Sequence, residues 1–408
     1  MPEWRMSRIR LLLAAVVVAH LGIVYSIASS DRPIIWPLHN DTIHRAAKAD
    51  FYAVYHAAVN VSRGLSPYDA SPDGVTPYYY PFRYLPIVAH AARPLLQLSP
   101  PSAWFLWIVV IETLLFLLIF ALKKPLGHSN KWVLTATLLL LSSPYFLELF
   151  IGQFTFAVVA ACALAILLPH RGFFYGAVLL KVFPLVVLPA YLRQGQWKHI
   201  MTTLLVLAVA TVPFAYSHPA DLTIFFNTNF RPVGGLDSGN YGVLRLVHLL
   251  AVDLNFNSLL VHWDRAVAVA RLLTFAACCW LVWTSRARQL VLGAAALLLA
   301  HFVTYQHVWE HHLSAVLVLG ALLLTLPALS KRDELLLFTG LTLGALPTPF
   351  AFFDVAKDPA VWDPSIAWPR YSAYVLVLCK VIPTLIFFLW SVQRLYRPPI
   401  ISAGRRRL

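Results

Sequence analysis

Charge is what this chain has least of. Asp, Glu, Lys and Arg make up 12% of its 408 residues, about half the roughly 25% typical of a soluble domain. A water-exposed surface of ordinary polarity is therefore excluded. Cysteine is scarce too: Cys162, Cys278, Cys279 and Cys379 all sit inside apolar runs. No disulfide framework in a polar loop is implied, and each reads as a small buried hydrophobe. There is no P-loop, no Gly-x-Gly-x-x-Gly and no Asp-x-Asp pair placed for a nucleotide-sugar metal site. Internal repeats and low-complexity tracts are also missing.

What is present is hydrophobic residue, at 59%. The apolar runs fall at about 9–29, 101–122, 131–149, 154–168, 172–192, 199–216, 266–284, 290–306, 312–328, 335–352 and 371–391. Most approach the roughly 20 residues that cross a bilayer core, and backbone in lipid must satisfy its own hydrogen bonds, so these runs read as helices. The net charge of +14 sits in short segments between the runs, as in Lys123, Lys124 and Lys131, Arg193 and Lys198, or Lys331 and Arg332. That is the distribution of cytoplasmic loops, and it argues for membrane lipid, not nucleic acid, as the partner of the charge.

Arg5, Arg8 and Arg10 precede the first run, which is too long for a signal h-region and is read as a retained span. Parity then constrains the path. A full crossing at 172–192 would put Arg193, Lys198 and every later basic loop outside. Pro184 lies mid-run and breaks a helix. The run is therefore expected to enter and return, turning near Lys181–Pro184. The expected architecture is all-α and polytopic: a single transmembrane domain over 1–408, about ten full spans and one re-entrant segment. The expected location is the cell (plasma) membrane, multi-pass, with both termini cytoplasmic. The large extracytoplasmic loops are 30–100, 217–265 and 353–370.

The first of these loops is patterned. Phe51, Val54, Tyr55, Ala58 and Val59 follow the spacing of a helix with one apolar face, and Gly64 follows as a C-cap. Such amphipathic helices are expected to lie in the interface. A Pro- and Tyr-rich stretch runs from Ser66 to Pro86, then a second apolar segment from Ile87 to Leu98.

Several residues there and elsewhere have chemistry to offer. Asp50 opens the loop helix; it is either an N-cap or a general base for an acceptor hydroxyl. Asp31, Asp41, Asp69 and Asp73 compete for that role. In Tyr78-Tyr79-Tyr80-Pro81-Phe82-Arg83-Tyr84, aromatic faces suit sugar stacking and Arg83 suits a phosphate; the alternative is an interfacial aromatic belt. The stretch Tyr305-Gln306-His307-Val308-Trp309-Glu310-His311-His312 is either a substrate-orienting cluster or a polar helix end. Its spacing is not His-Glu-x-x-His, so no metal is expected. Lys181, in the re-entrant run, is an ionisable group at membrane depth and a functional candidate by that fact, unless it snorkels. Gly152-Gln153, Asn240, Arg245, His248 and Arg231 are further candidates, and Glu112 is a lone acid within the second run.

The ordered set resembles glycosyltransferase family 87. It comprises Asp50, Tyr55, Gly64-Leu65-Ser66-Pro67-Tyr68-Asp69, Pro81-Phe82-Arg83-Tyr84-Leu85-Pro86, Gly152-Gln153-Phe154, Lys181-Val182-Phe183-Pro184, Asn240 to Arg245 and Trp309-Glu310-His311-His312. That family includes polyprenol-phosphate-mannose-dependent mannosyltransferases that elongate phosphatidylinositol mannosides. The resemblance implies a GT-C fold and an inverting transfer of a hexose, mannose first, from a polyprenyl-phosphate donor to a glycolipid or glycan acceptor, outside the cytoplasm. It implies Asp50 as base, and His311 or His312, Arg83, Lys181 and Arg245 against donor or phosphate. Tyr55, Tyr79, Tyr84 and Trp309 are expected to line the substrate, with no metal or other cofactor. Arg83-Tyr84-Leu85 replaces a more apolar family pattern, which leaves the acceptor open. An arabinofuranosyl transfer is the rival within this class. A lipid or solute transporter is the rival outside it, although no two similar halves are visible.

Overall fold

A computed structural model describes residues 3–39, 47–127, 130–168, 170–230, 239–285, 289–353 and 369–396. Among these, every regular element is helical. One isolated backbone bridge joins Asn240 to Trp309. In chain order the helices begin with α1 (Glu3–Ser29), α2 (Ala49–Ser62), α3 (Pro86–Ala92), α4 (Pro100–Leu126), α5 (Asn130–Leu140) and α6 (Ser143–Ile151). Next come α7 (Thr155–Leu167), α8 (Arg171–Leu180), α9 (Leu188–Arg193), α10 (Trp197–Ser217), α11 (Pro219–Phe230) and α12 (Val243–Asp253). The last are α13 (Asn257–Val261), α14 (Trp263–Thr284), α15 (Leu290–Thr304), α16 (Leu313–Leu323), α17 (Lys331–Ala345) and α18 (Arg370–Tyr396).

Among the described residues, six stretches are long and apolar enough to cross a membrane: Leu11–Ser29, Pro100–Leu126, Asn130–Ile151, Trp197–Ser217, Trp263–Thr284 and Tyr371–Tyr396. The runs at 154–168, 290–306 and 312–328 instead form helices of 13, 15 and 11 residues. The reason is their place. Leu164, Leu297, Leu299, Val318 and Leu319 are fully enclosed, so α7, α15 and α16 form a centre that neighbours screen from lipid. A helix so screened need not match the bilayer alone. By contrast α10 and α14 present Leu205, Val209, Leu272, Leu273 and Trp280 outward.

The run at 172–192 breaks where Pro184 placed the break. α8 ends at Lys181, whose backbone is extended, and a 3-10 turn over Phe183–Val187 leads into α9. The chain then doubles back. The rings of Phe174 and Tyr191 lie 5.1 Å apart, and both meet His199 at the start of α10, at 5.1 and 4.3 Å. Residues 17 positions apart meet only if the segment reverses, so α8 and α9 form a hairpin with Lys181 at its tip.

In the first loop the expected helix forms as α2, but it has no open face: all but Asp50 from Ala49 to Asn60 are buried. Phe51 packs on Trp104 and Trp107, with ring centroids 5.6 and 6.3 Å away. The 66–85 stretch closes the other side. α11 clasps it, with Ser66 donating to Asp221 at 2.5 Å and Asn229 donating to the Arg83 carbonyl at 3.0 Å.

Candidate active site

Asp50 is the second residue of α2, not its N-cap; that position belongs to Lys48, in the left-handed region at φ 63°. The backbone around it is pinned twice. Lys48 N–H donates to the Phe150 carbonyl at 2.7 Å, and Tyr80 N–H donates to the Ala49 carbonyl at 3.2 Å. The half-buried carboxylate itself has no hydrogen bond or ion pair among the described residues. Burial raises its pKa to about 6, against the opposing pull of Lys181 and Arg83.

The other acids of the loop are committed elsewhere. Asp31 pairs with Lys48 at 2.8 Å. Burial alone would raise Asp73, yet hydrogen bonds from Thr76, Val75 and His56 bring it down to about 2. Asp69 is held low by hydrogen bonds from Ser71. Asp41 and Arg231 lie outside the described residues.

Lys181 reaches the same space from the hairpin tip. Its ammonium donates to Gln153 Oε1 at 2.9 Å and Thr155 Oγ1 at 2.8 Å, and lies 5.9 Å from the centre of the Tyr84 ring. Tyr84 also donates to Gln153 Oε1, at 3.1 Å. Gly152 makes this turn possible. Its φ is +79°, and a Cβ there would stand 2.6 Å from Phe51 Cβ. Beneath the turn, the Glu148 carboxylate accepts from Phe156 N–H at 2.5 Å and Ser314 Oγ at 2.6 Å. Ser314 Oγ also lies 2.7 Å from the His311 carbonyl, so Glu148 joins the Lys181 turn to the histidine turn.

His311 and His312 are buried with rings 4.2 Å apart. His312 Nδ1 accepts from Trp309 N–H at 3.1 Å; neither ring nitrogen of His311 has a protein partner. Behind them Glu310 meets Lys380 at 3.1 Å and accepts from Thr348 N–H at 3.1 Å, which fixes the 309–312 turn. Among the described residues no cluster of three or more His, Cys, Asp or Glu is placed to hold a metal.

The structure therefore brings Asp50, Arg83, Tyr84, Lys181, His311 and His312 within electrostatic reach of one another through Lys181 and Asp50. Tyr55 and Tyr79 are occupied with the loop itself: Tyr55 donates to the Leu98 carbonyl at 2.9 Å, and Tyr79 donates to that of Ala70 at 2.7 Å while stacking on His56 at 3.8 Å. Trp309 packs over Gly239 and bridges Asn240. Arg245 is buried on α12 beside His248. Tyr78 and Tyr80, which alternate with Tyr79, are with Tyr84 the tyrosines of this stretch within electrostatic reach of Asp50.

Glu148, Arg271, His301 and Tyr305 belong to the same neighbourhood, and sequence reasoning did not single out the first three. Glu148 and Arg271 carried the signal that marked Lys181, a lone charge within an apolar run.

A recessed, unpartnered carboxylate facing cations within a helical membrane bundle is the equipment of an integral membrane transferase. The chain belongs to glycosyltransferase family 87, whose family model matches residues 82–305. The match takes in Arg83, Gln153, Lys181 and Arg271; Asp50 and the 309–312 turn lie outside it. No curated protein matches the chain.

Proposed function

We propose that this glycosyltransferase moves a hexose, mannose first, from a polyprenyl-phosphate donor to a hydroxyl of a glycolipid or glycan acceptor on the extracytoplasmic side of the plasma membrane. The observation that carries the reading is the Asp50 carboxylate, raised to about 6 and free of protein partners, opposite Lys181 and Arg83.

The chemistry follows from those groups. Asp50 takes the proton of the acceptor hydroxyl as its oxygen attacks the anomeric carbon. The bond from that carbon to the phosphate oxygen breaks on the opposite face, which inverts the centre. The electron pair leaves with polyprenyl phosphate, and Lys181 and Arg83 offset its charge as it grows. Such a leaving group needs little protonation, so one base suffices. His311 is assigned to hydrogen-bond the donor, a role supported by two ring nitrogens without a protein partner. A donor that arrives within the bilayer also accounts for a sequence without a nucleotide-binding loop.

The test is purified protein with radiolabelled polyprenyl-phosphate mannose and a glycolipid extract. Asp50→Asn and Asp50→Ala should each lose about 10²–10⁴-fold in turnover. Full activity in both would remove Asp50 as the base, and absence of transfer by the wild type would remove the donor.

A further inference from the structure

We propose that Arg271 binds the phosphate of the lipid donor, forming with Lys181 the two sides of a phosphate subsite between α14 and the hairpin tip. This rests on the donor class proposed above.

Arg271 is the ninth residue of α14, in a stretch apolar enough to cross a membrane. A guanidinium at such a position is costly and is retained where it has an anion to meet. Among the described residues none is supplied: Arg271 makes no ion pair or hydrogen bond. The neighbour within its electrostatic reach is the Tyr305 phenol, a neutral group, and not a carboxylate.

Its level in the fold is set by the other end of the helix. Arg193, at the end of α9, lies 5.7 Å from the Trp283 ring. Arg271 is twelve residues before Trp283, and Lys181 is twelve before Arg193. Arg271 stands about 18 Å up α14 from that contact at 1.5 Å per residue, and the path back to Lys181, through α9 and a 3-10 turn rising about 2 Å per residue, climbs at least as far, so the two cations lie at a similar level.

The space between them is built from aromatic rings. His301 stacks on Phe183 of the hairpin turn at 4.7 Å and 4°, and on Tyr305 at 5.1 Å and 26°. Arg271 and Lys181 both act on His301; Arg271, Arg83 and Asp50 all act on Tyr305. Three cations thus surround this wall against two carboxylates, Asp50 and Glu148. Glu148 is already engaged by two donors, and three cations against two carboxylates leave a positive excess of one. A phosphate ester answers it, and the guanidinium fork suits two of its oxygens. α14 faces outward along much of its length, so a phosphate on a membrane-borne chain meets Arg271 without crossing the bundle.

The same chemistry exists in phospholipid headgroups, and the experiment separates the two. Full-length protein is placed in nanodiscs of purely zwitterionic lipid and of lipid with added anionic phospholipid. Arg271→Gln and Arg271→Lys are compared with wild type, and unchanged melting temperatures exclude misfolding. The probe is sugar-free polyprenyl phosphate, read both as an inhibitor of transfer and as a directly titrated ligand. Arg271→Gln should weaken this binding and raise the donor KM about ten-fold or more, in both lipids, with the acceptor KM unchanged. Arg271→Lys should recover part of the loss. Unchanged binding of the probe in Arg271→Gln would overturn the proposal. So would a defect confined to discs with anionic phospholipid, which would make Arg271 a headgroup anchor. Direct titration keeps the two readings apart: a wild type that binds the probe but transfers no sugar refutes the proposed reaction, while the Arg271 comparison still decides the subsite.

Discussion

Asp50 shows how one residue type divides by surroundings. Asp31, Asp69 and Asp73 share its loop and its side chain, yet an ion pair or donated hydrogen bonds hold each in a structural task. Asp50 receives none, and burial raises it. The sign of the pH effect follows. A base works in its deprotonated form, so transfer should increase as pH rises through about 6 and level off above it. A pH–rate profile for kcat/KM at saturating acceptor tests this, and a profile flat from pH 5 to 7.5 would contradict it. Lys181 should matter on the donor side: Lys181→Met is expected to cost about 10-fold or more in kcat/KM through the lost charge-assisted contact, measured with the acceptor held constant. Sequence could name both residues because each stands out in its run. It could not divide the three tyrosines at 78–80. Alternation put Tyr79 on the other side from its neighbours, and only the Tyr79 ring over His56 reveals which side that is.

Among the elements, the turns carry more of the site than the helices do. Gly152 links α6 to α7 with a backbone that L-residues rarely adopt, directly against Phe51. Gly152→Ala should therefore destabilise by about 1–3 kcal/mol and separate Asp50 from Lys181, seen as a lower melting temperature in detergent and reduced activity. Gly176→Ala is the control: its Cβ meets nothing within 4 Å, and an alanine within α8 should be neutral or slightly stabilising. Either variant behaving like the other would refute this account. The hairpin was legible beforehand, because Pro184 and the basic residues after it left no other path. The enclosure of α2 was not. Its heptad spacing showed one apolar face, but cover by the 66–85 stretch depends on α11, which is more than 130 residues away in the chain. Short α7, α15 and α16 were likewise hidden, since hydropathy does not record whether neighbours or lipid surround a helix.

For the whole molecule, the testable quantity is sidedness. With the hairpin reversing, the topology read from the sequence puts the 66–85 stretch and the segment after α9 on opposite faces. In intact cells an impermeant maleimide should label Val75→Cys and spare Lys198→Cys until the membrane is opened; both positions are exposed, so access alone decides the result. Labelling of both from outside would sink this topology. The hairpin also sets a dimension. α8 has 10 residues, about 15 Å of helix, which is half of a bilayer core of roughly 30 Å. The proposed transfer at its tip would then run near the midplane, where a donor carried on a lipid chain already lies and to which the acceptor would have to descend. On that reading the thickness of the surrounding lipid becomes part of the geometry of transfer: longer acyl chains lengthen the acceptor's descent, and shorter ones bring water closer to the tip.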